Sequence, residues 1–475
     1  MSNVAGRVEP VTAMGGTHPP RLDIRTTIAA VALSTAVGLG VIAAPQAAAV
    51  TAALLVAVGV VYRLTSVLFG VALLLLAYSP EYLEVGGLLA RPELQKGAIY
   101  LALLPLMVMR GVHPKLCLPL IAYVSLATLS VLHGDLASGL SISQMISTYI
   151  TLTVGWIALA VRWRGEEDLW LLKLLTFVPL MCVGLGALFQ VAGIHAMFEA
   201  ASAFDPVTRL RGASIASQLG LTSFIACAIS MTCWRIMRWR PAAYMFFVNV
   251  AILAATASRG PIIALGIALL WPALRYGLGS LRGNARLGLL RIVVVASAIG
   301  VLAVTVAPRL ESRNSGGRYY AGYGTTTDPS SGREQAWGEF YAIGKESPLY
   351  GHGLGSGPIT KIEQEGFLAQ HNEFLRLFLE GGYIGGGIVL ASMIFAVALA
   401  ISRAPPQLRL DLVGVAIGLA FLSVLDNTLS SVNVIVPFCL LLGIVASLGR
   451  AEGSSRARAG RRRSRDDDAP ALIAT

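Results

Sequence analysis

The chain has 475 residues, of which 55% are hydrophobic and 13% charged, whereas an ordinary soluble domain is about 25% charged. Together with a mean hydropathy of +0.69, that composition excludes a soluble enzyme of this length. Lys and Arg number 37 against 26 Asp and Glu, a formal charge of +11; because the basic residues lie between apolar runs, the excess reads as a topology signal and not as a nucleic-acid surface.

Residues 1–25 are polar, lack apolar periodicity and read as an unstructured cytoplasmic N-terminus. From Thr26 to Leu448 apolar runs of about 15 to 20 residues recur, the length a helix needs to cross roughly 30 Å of hydrocarbon. Candidate spans fall at 26–44, 46–61, 64–78, 97–109, 116–133, 146–161, 169–193, 213–234, 241–257, 261–278, 290–307, 383–402, 410–425 and 431–449. The expectation is an all-α, polytopic integral membrane protein of about 12–14 transmembrane helices, with residues 26–449 as its membrane domain. All five cysteines, Cys117, Cys182, Cys227, Cys233 and Cys439, lie in apolar stretches and read as packing residues, not as a disulfide or zinc framework.

Counting from a cytoplasmic N-terminus, the inner loops would carry Arg63, Arg110 with Lys115, Arg162 with Arg164, Arg235 with Arg238 and Arg240, Arg282 with Arg286 and Arg291, and Arg403. The loops near 45, 134–145 and 426–431 have no basic residue. That alternation satisfies the positive-inside rule and puts both termini in the cytoplasm. Residues 450–475, with Arg461, Arg462 and Arg463 followed by Asp466, Asp467 and Asp468, read as a disordered basic tail lying near anionic headgroups, with no nucleic-acid partner.

One outer segment, 308–382, is far longer than the others. Its first part is rich in Gly, Ser, Thr and Tyr and suits a mobile covering loop. Ser331 to Glu334 then offers a capping box, and Trp337, Phe340, Tyr341 and Ile343 repeat at helical spacing, as in a short amphipathic helix on the membrane surface. Gly351, Gly353, Gly355 and Gly357 follow with a two-residue period, either as a plain loop or as a turn that brings bare amides close to a ligand. Next comes His371-Asn372-Glu373, leading into the following span. If the helix includes it, His371 faces away from Glu373, Arg376 and Glu380. An imidazole there suits a general base, since its unperturbed pKa is about 6.5.

Arg209, Arg211 and Arg259 break the scarcity of positive charge on the outer side. An arginine at the membrane edge is costly unless an anion is present, and a guanidinium matches phosphate oxygens at two points. With Arg333 and His371 they form a set on one side of the membrane. No group of Asp, Glu or His with metal-ligand spacing stands in these loops, so no metal is demanded.

The order of R-x-x-G at Arg209 to Gly212, S-R-G at Ser258 to Gly260, Arg333 with Trp337, P-x-x-G-x-G-x-G at Pro348 to Gly355, H-N-x-x-L at His371 to Leu375 and E-x-G-x-x-G at Glu380 to Gly385 resembles the O-antigen ligase and polysaccharide polymerase family. The resemblance covers about 205–390, and its most specific part is Pro348 to Gly385. The Asn-Pro that often follows the first arginine motif is replaced by Ile215-Ala216-Ser217-Gln218, which leaves open whether Arg209 or Arg211 takes the family role. The resemblance implies a multi-pass glycosyltransferase of the plasma (inner) membrane that needs neither metal nor cofactor. Its donor would be an undecaprenyl-diphosphate-linked glycan and its acceptor a hydroxyl on a lipid or glycan. His371 would be the base, Arg259, Arg211, Arg209 and Arg333 would hold the diphosphate, and Asn372, Glu380, Gly353 and Gly355 would support them. The motifs do not separate ligase from polymerase. A transporter or flippase of lipid-linked glycans is the alternative, although ion-coupled transporters place ionisable groups near the bilayer midplane, where these spans have almost none.

Overall fold

The computed structural model describes residues 65–79, 92–132, 142–199, 207–270, 318–320, 324–326, 333–357 and 371–467. The expected spans 26–44, 46–61 and 290–307 lie outside the described residues. What is described is almost wholly helical: α1 (Thr65–Leu74), α2 (Pro92–Arg110), α3 (Leu118–Leu132), α4 (Ile142–Ala160), α5 (Leu169–Thr176), α6 (Val178–Val191), α7 (Ala216–Met237) and α8 (Arg240–Ala255) come first. They are followed by α9 (Arg259–Leu270), α10 (Arg333–Gly344), α11 (Glu373–Arg403), α12 (Pro406–Leu425) and α13 (Val432–Asp467). Two short antiparallel pairs complete it, β1 (Phe198–Glu199) with β2 (Arg209–Leu210) and β3 (Arg318–Tyr320) with β4 (Gly324–Thr326).

Five helical stretches are long and apolar enough to cross a membrane, and five shorter apolar helices accompany them among the described residues. The chain is a multi-pass, all-α membrane protein. Its outer surface fits that reading: Val108, Phe247 and Ile394 are 84%, 67% and 61% exposed, a burden of bare apolar side chains that water does not tolerate but lipid does. α13 sits at the centre, against α4, α7 and α11. It is apolar on every face from Val434 to Ala446 and almost fully enclosed, as a helix without a polar stripe must be.

The boundaries depart from the sequence expectation in three places, each with a local cause. The span expected at 169–193 is one membrane-crossing stretch, Gly165–Val191, with a local interruption at Phe177, two residues ahead of Pro179, whose missing N–H takes one bond out of the helical ladder there. α13 continues as helix to Asp467 where an unstructured tail is expected from 450; a helix already nucleated by a buried span extends without a new nucleus. The run expected at 383–402 begins ten residues earlier, at Glu373, and is interrupted at Gly382 (φ 60°, ψ −164°).

The interruption at Gly382 explains the glycine-rich turn. A broken helix strands backbone donors and acceptors that a membrane environment cannot hydrate. Here the turn repairs them: His352 and Gly353 donate N–H to the carbonyls of Leu379 (2.8 Å) and Glu380 (3.0 Å), and Tyr383 and Ile384 donate to the carbonyls of Pro348 (2.8 Å) and Leu349 (3.1 Å). Contact this close requires bare backbone. Gly351 has φ +69°, and a Cβ on it would lie 2.5 Å from the Glu380 carbonyl carbon. Gly351→Ala therefore has no relaxed conformation and should lower thermal stability in detergent by at least about 2 kcal/mol, from left-handed strain and overpacking together. Gly338→Ala, where nothing lies within 4 Å, should raise it by about 0.5–1 kcal/mol. Equal midpoints for the two variants would refute the repair.

Candidate active site

The six-residue turn Asp426–Ser431, between α12 and α13, is the point to which the candidate residues converge. α11 approaches it with His371 and Glu373, the loop helix α10 with Arg333, α9 with its opening Arg259-Gly260, and α7 with Gln218.

His371 is not on a helix. Asn372 caps α11, its Oδ1 accepting from the N–H groups of Phe374 (3.0 Å) and Leu375 (3.1 Å), so the helix starts at Glu373 and His371 precedes the cap with φ +45°. The helical-face argument for His371 thus gives way to a cap: asparagine bonds the first-turn amides more favourably than it continues a helix. For Glu373, Arg376 and Glu380 the shared face holds. The His371 ring is 39% exposed, and its Nδ1 lies 3.3 Å from Oδ1 of Asp426, whose side chain is 19% exposed. An ionised carboxylate only accepts, so Nδ1 donates in this contact and Nε2 is the ring nitrogen that does not face the carboxylate. Burial alone would push the Asp426 carboxyl up, but the His371 ring, the Asn427 N–H and nearby Arg333 hold it below the usual carboxylate range. Arg333, at the start of α10, donates from Nη1 to the Leu425 carbonyl at 2.6 Å, one residue before Asp426.

Beneath His371 lies a buried ion cluster. Glu373, fully buried, accepts at Oε1 from the N–H groups of Leu429 (2.8 Å) and Ser430 (2.9 Å) and at Oε2 from Arg376 Nε (2.6 Å). Arg376 Nη1 is 3.9 Å from Glu380 Oε2 on the next turn. Glu373 thereby ties α11 to the 426–431 turn. Glu380, beside the glycine turn that Gly353 and Gly355 belong to, supports the scaffold, and Gly353 packs on Ser130 while donating its own N–H to the Glu380 carbonyl.

The candidate arginines divide. Arg209 is 7% exposed and donates from Nε to the Thr256 carbonyl (2.9 Å) and from Nη2 to Ser258 Oγ (3.1 Å), with Nη1 3.6 Å from Glu199 Oε2. Those bonds brace the tight α8–α9 turn, in which Ala257 has φ +48° and whose next residue is Arg259. Arg211 is half-buried and donates from Nε to the Ala196 carbonyl at 2.5 Å. Arg259 opens α9, and Gly260 beside it packs within reach of Leu422 and Leu425, the last turn of α12 before Asp426. Gln218, in the first turn of α7, accepts from Ser431 Oγ at 2.8 Å, which brings the helix that follows Arg209 and Arg211 to the same turn.

Asp426 is the residue that sequence reasoning missed. Its signal was present: Asp426-Asn427-Thr428 and Ser430-Ser431 make a wholly polar break between two apolar runs, but nothing in their spacing tied them to a histidine 55 positions earlier.

Residues 242–390 match the family model for O-antigen ligase. That stretch runs from α8 into α11 and contains Arg259, Arg333, the glycine turn and His371, whereas Arg209, Arg211 and Asp426 lie outside it. No curated protein matches the chain. The similarity to O-antigen ligase, on a chain with several membrane-crossing helices, supports a membrane glycosyltransferase of the O-antigen ligase or polymerase type acting on lipid-linked glycans.

A brace and a ligand-binding arginine answer differently to substitution. Arg209→Lys keeps the charge but loses the fork that spans Thr256 and Ser258, so it should lower the unfolding midpoint by the equivalent of about 1–3 kcal/mol. Scanning fluorimetry on purified protein checks this; an unchanged midpoint would show that Arg209 carries none of the turn.

Proposed function

We propose that the chain transfers a glycan from an undecaprenyl-diphosphate-linked donor to an acceptor hydroxyl at the outer face of the plasma membrane, with His371 as general base. The observation that supports this reading is the His371–Asp426 pair, in which Nδ1 faces the carboxylate, at a turn that the segments bearing Arg333 and Arg259 also reach.

The chemistry asks for little else. A sugar on a lipid diphosphate already has a good leaving group, so the enzyme must take a proton from the acceptor hydroxyl and stabilise the departing diphosphate. The acceptor oxygen bonds to the anomeric carbon while the bond from that carbon to the phosphate oxygen breaks, its electron pair leaving with the diphosphate. The proton passes to His371 Nε2, and the imidazolium formed is stabilised by the Asp426 carboxylate at Nδ1, the role an acid plays behind a catalytic histidine in other transferases and hydrolases. A single displacement of this kind inverts the anomeric centre. Arg259, Arg211 and Arg333 are assigned to the diphosphate; Arg209, occupied with Thr256 and Ser258, is assigned to bracing Arg259. Because the diphosphate and acceptor must both be reached from the side that bears His371, this side is assigned to the outer face and the Arg403 end to the cytoplasm, in agreement with the distribution of basic loops.

Three measurements test the reading. In a transfer assay with a defined undecaprenyl-diphosphate donor, His371→Ala should lose about 10²- to 10⁴-fold in turnover at matched protein level, and Asp426→Asn should fall in the same direction while donor binding is retained. Near-normal turnover in His371→Ala would overturn the assignment. Arg259→Lys should lose transfer by the equivalent of about 1–3 kcal/mol, whereas Arg164→Lys, whose side chain is exposed and paired with Glu167, should be silent; if the two behave alike, the arginine does not hold the diphosphate. Cysteines placed at the exposed positions Glu346 and Glu166, in a background without the native five, should differ towards an impermeant thiol reagent on intact cells. Labelling at 166 and not at 346 would invert the orientation.

A further inference from the structure

At the end of the bundle remote from His371, four pieces of chain meet: the α2–α3 connection, the end of α4, the α11–α12 connection and α13 near Arg450. Arg403 ends α11 while His371 precedes its first residue, and the unbroken stretch from Tyr383 to Arg403 alone spans roughly 30 Å. The junction is built by backbone. Val112 bridges Val161, His113 N–H donates to the Ala160 carbonyl (2.8 Å) and Arg162 N–H to the Gly111 carbonyl (3.1 Å), while Gly449 of α13 packs directly on the Arg403 carbonyl and the Ala404–Pro405 backbone.

This junction concentrates positive charge. Arg450 Nη1 lies 3.0 Å from His113 Nδ1, and its Nη2 donates to Ser447 Oγ at 2.9 Å. The Arg162 guanidinium lies over Gly111, Nε donating to the Val112 carbonyl at 3.1 Å. Since a guanidinium has no acceptor to offer, His113 must accept at Nδ1 and carry its proton on Nε2. That Nε2–H and Nη1 of Arg403 are buried donors with no acceptor among the described residues. Burial, with Arg450, Arg403 and Arg162 around it, drives the imidazole down to about 4, so the ring is a neutral donor at physiological pH. Three arginines at this end have carboxylate partners, Arg110 with Asp168, Arg164 with Glu167 and Arg235 with Asp411. Among the described residues no carboxylate pairs with Arg162, Arg403 or Arg450.

Three like charges drawn together at a junction repel one another unless an anion joins them, and oxygens of a phosphate suit guanidinium forks. The surroundings indicate which phosphate. Val108 and Met109, within one turn of Gly111, are 84% and 46% exposed, and Leu118 and Ile121 on α3 are 38% and 56% exposed; a bound phosphate there borders lipid-facing apolar surface. We propose that Arg162, Arg403, Arg450 and the Nε2–H of His113 form a phosphate site that takes the headgroup of an anionic phospholipid. Such a lipid stitches α2, α4, α11 and α13 together from the side opposite the transfer chemistry, which makes the site separable from the function proposed above.

The test is lipid retention. Full-length protein is reconstituted in nanodiscs of mixed phosphatidylglycerol and phosphatidylcholine, released, and weighed by native mass spectrometry. Wild type should keep a phosphatidylglycerol that Arg403→Gln and Arg450→Gln each bind about tenfold more weakly; Arg164→Gln, which removes an equal charge from the same end, should keep it. Arg450→Lys serves if Arg450→Gln does not accumulate, and should also bind more weakly because the fork is gone. A parallel arm titrates inorganic phosphate into phosphatidylcholine discs and follows thermal stability: stabilisation of wild type but not of the Gln variants would mean that the same site takes the free anion. Equal retention of phosphatidylglycerol in wild type and both Gln variants, with no difference in their response to phosphate, would overturn the site.

Discussion

Arg376 is the charge on which the rest of the His371 end depends. It is 4% exposed, on the first turn of α11, and is held between Glu373 and Glu380 on the same helix. Taking three charges out of water costs several kcal/mol per ion before the mutual attraction is counted, and such a cluster survives only where the remaining lone pairs are satisfied. Glu373 meets that condition by drawing in the amides of Leu429 and Ser430. The cluster is therefore less a source of net stability than a constraint on geometry: the bonds from Leu429 and Ser430 to Glu373 tie the start of α11 to the 426–431 turn, and sliding it away would leave that carboxylate buried without them.

That constraint fixes the chemistry above it. His371 comes two residues before Glu373 and Asp426 three before Leu429, so one ionic lock sets both partners of the pair at once. Positive φ at His371 and Ala257 is tolerated for the same reason. Each costs of order 1–3 kcal/mol in a non-glycine residue and persists only where the surroundings over-determine it: Asn372 capping on one side, Arg209 bracing on the other. The backbone just before Arg259 is thus held by Arg209, through Thr256 and Ser258.

Much of this was legible from the residues. Apolar run length yields a polytopic helical protein, and the candidates Arg259, Arg333 and His371 stand out because charge at a membrane edge demands an explanation. Placement of the spans at 116–133, 213–234 and 410–425 agrees with α3, α7 and α12 to within a few residues. What sequence could not supply were contacts across long separations. Asp426 carries no local pattern that names a partner, and Arg209 looks as suited to phosphate as Arg211 until the carbonyl of Thr256, 47 positions away, is seen beneath it. The glycine period likewise signals freedom of the backbone without saying that a helix break at Gly382 uses it. Periodicity reports which face a residue takes; it says nothing of what that face will meet.

The position of α13 imposes an order on assembly. The most enclosed of the described helices is also the one made after all the others, and α4, α7 and α11 each keep a face for it. During synthesis, at about 5–20 residues per second, those helices can insert singly but have only lipid to lie against until residues 432–450 leave the ribosome. The 426–431 turn runs straight into that same late segment, so a nascent chain halted before it would hold the earlier helices without the one that packs between them. Bringing His371, Glu373 and the 426–431 turn together is thereby a late event of synthesis, because it waits on a segment made after the helices it joins.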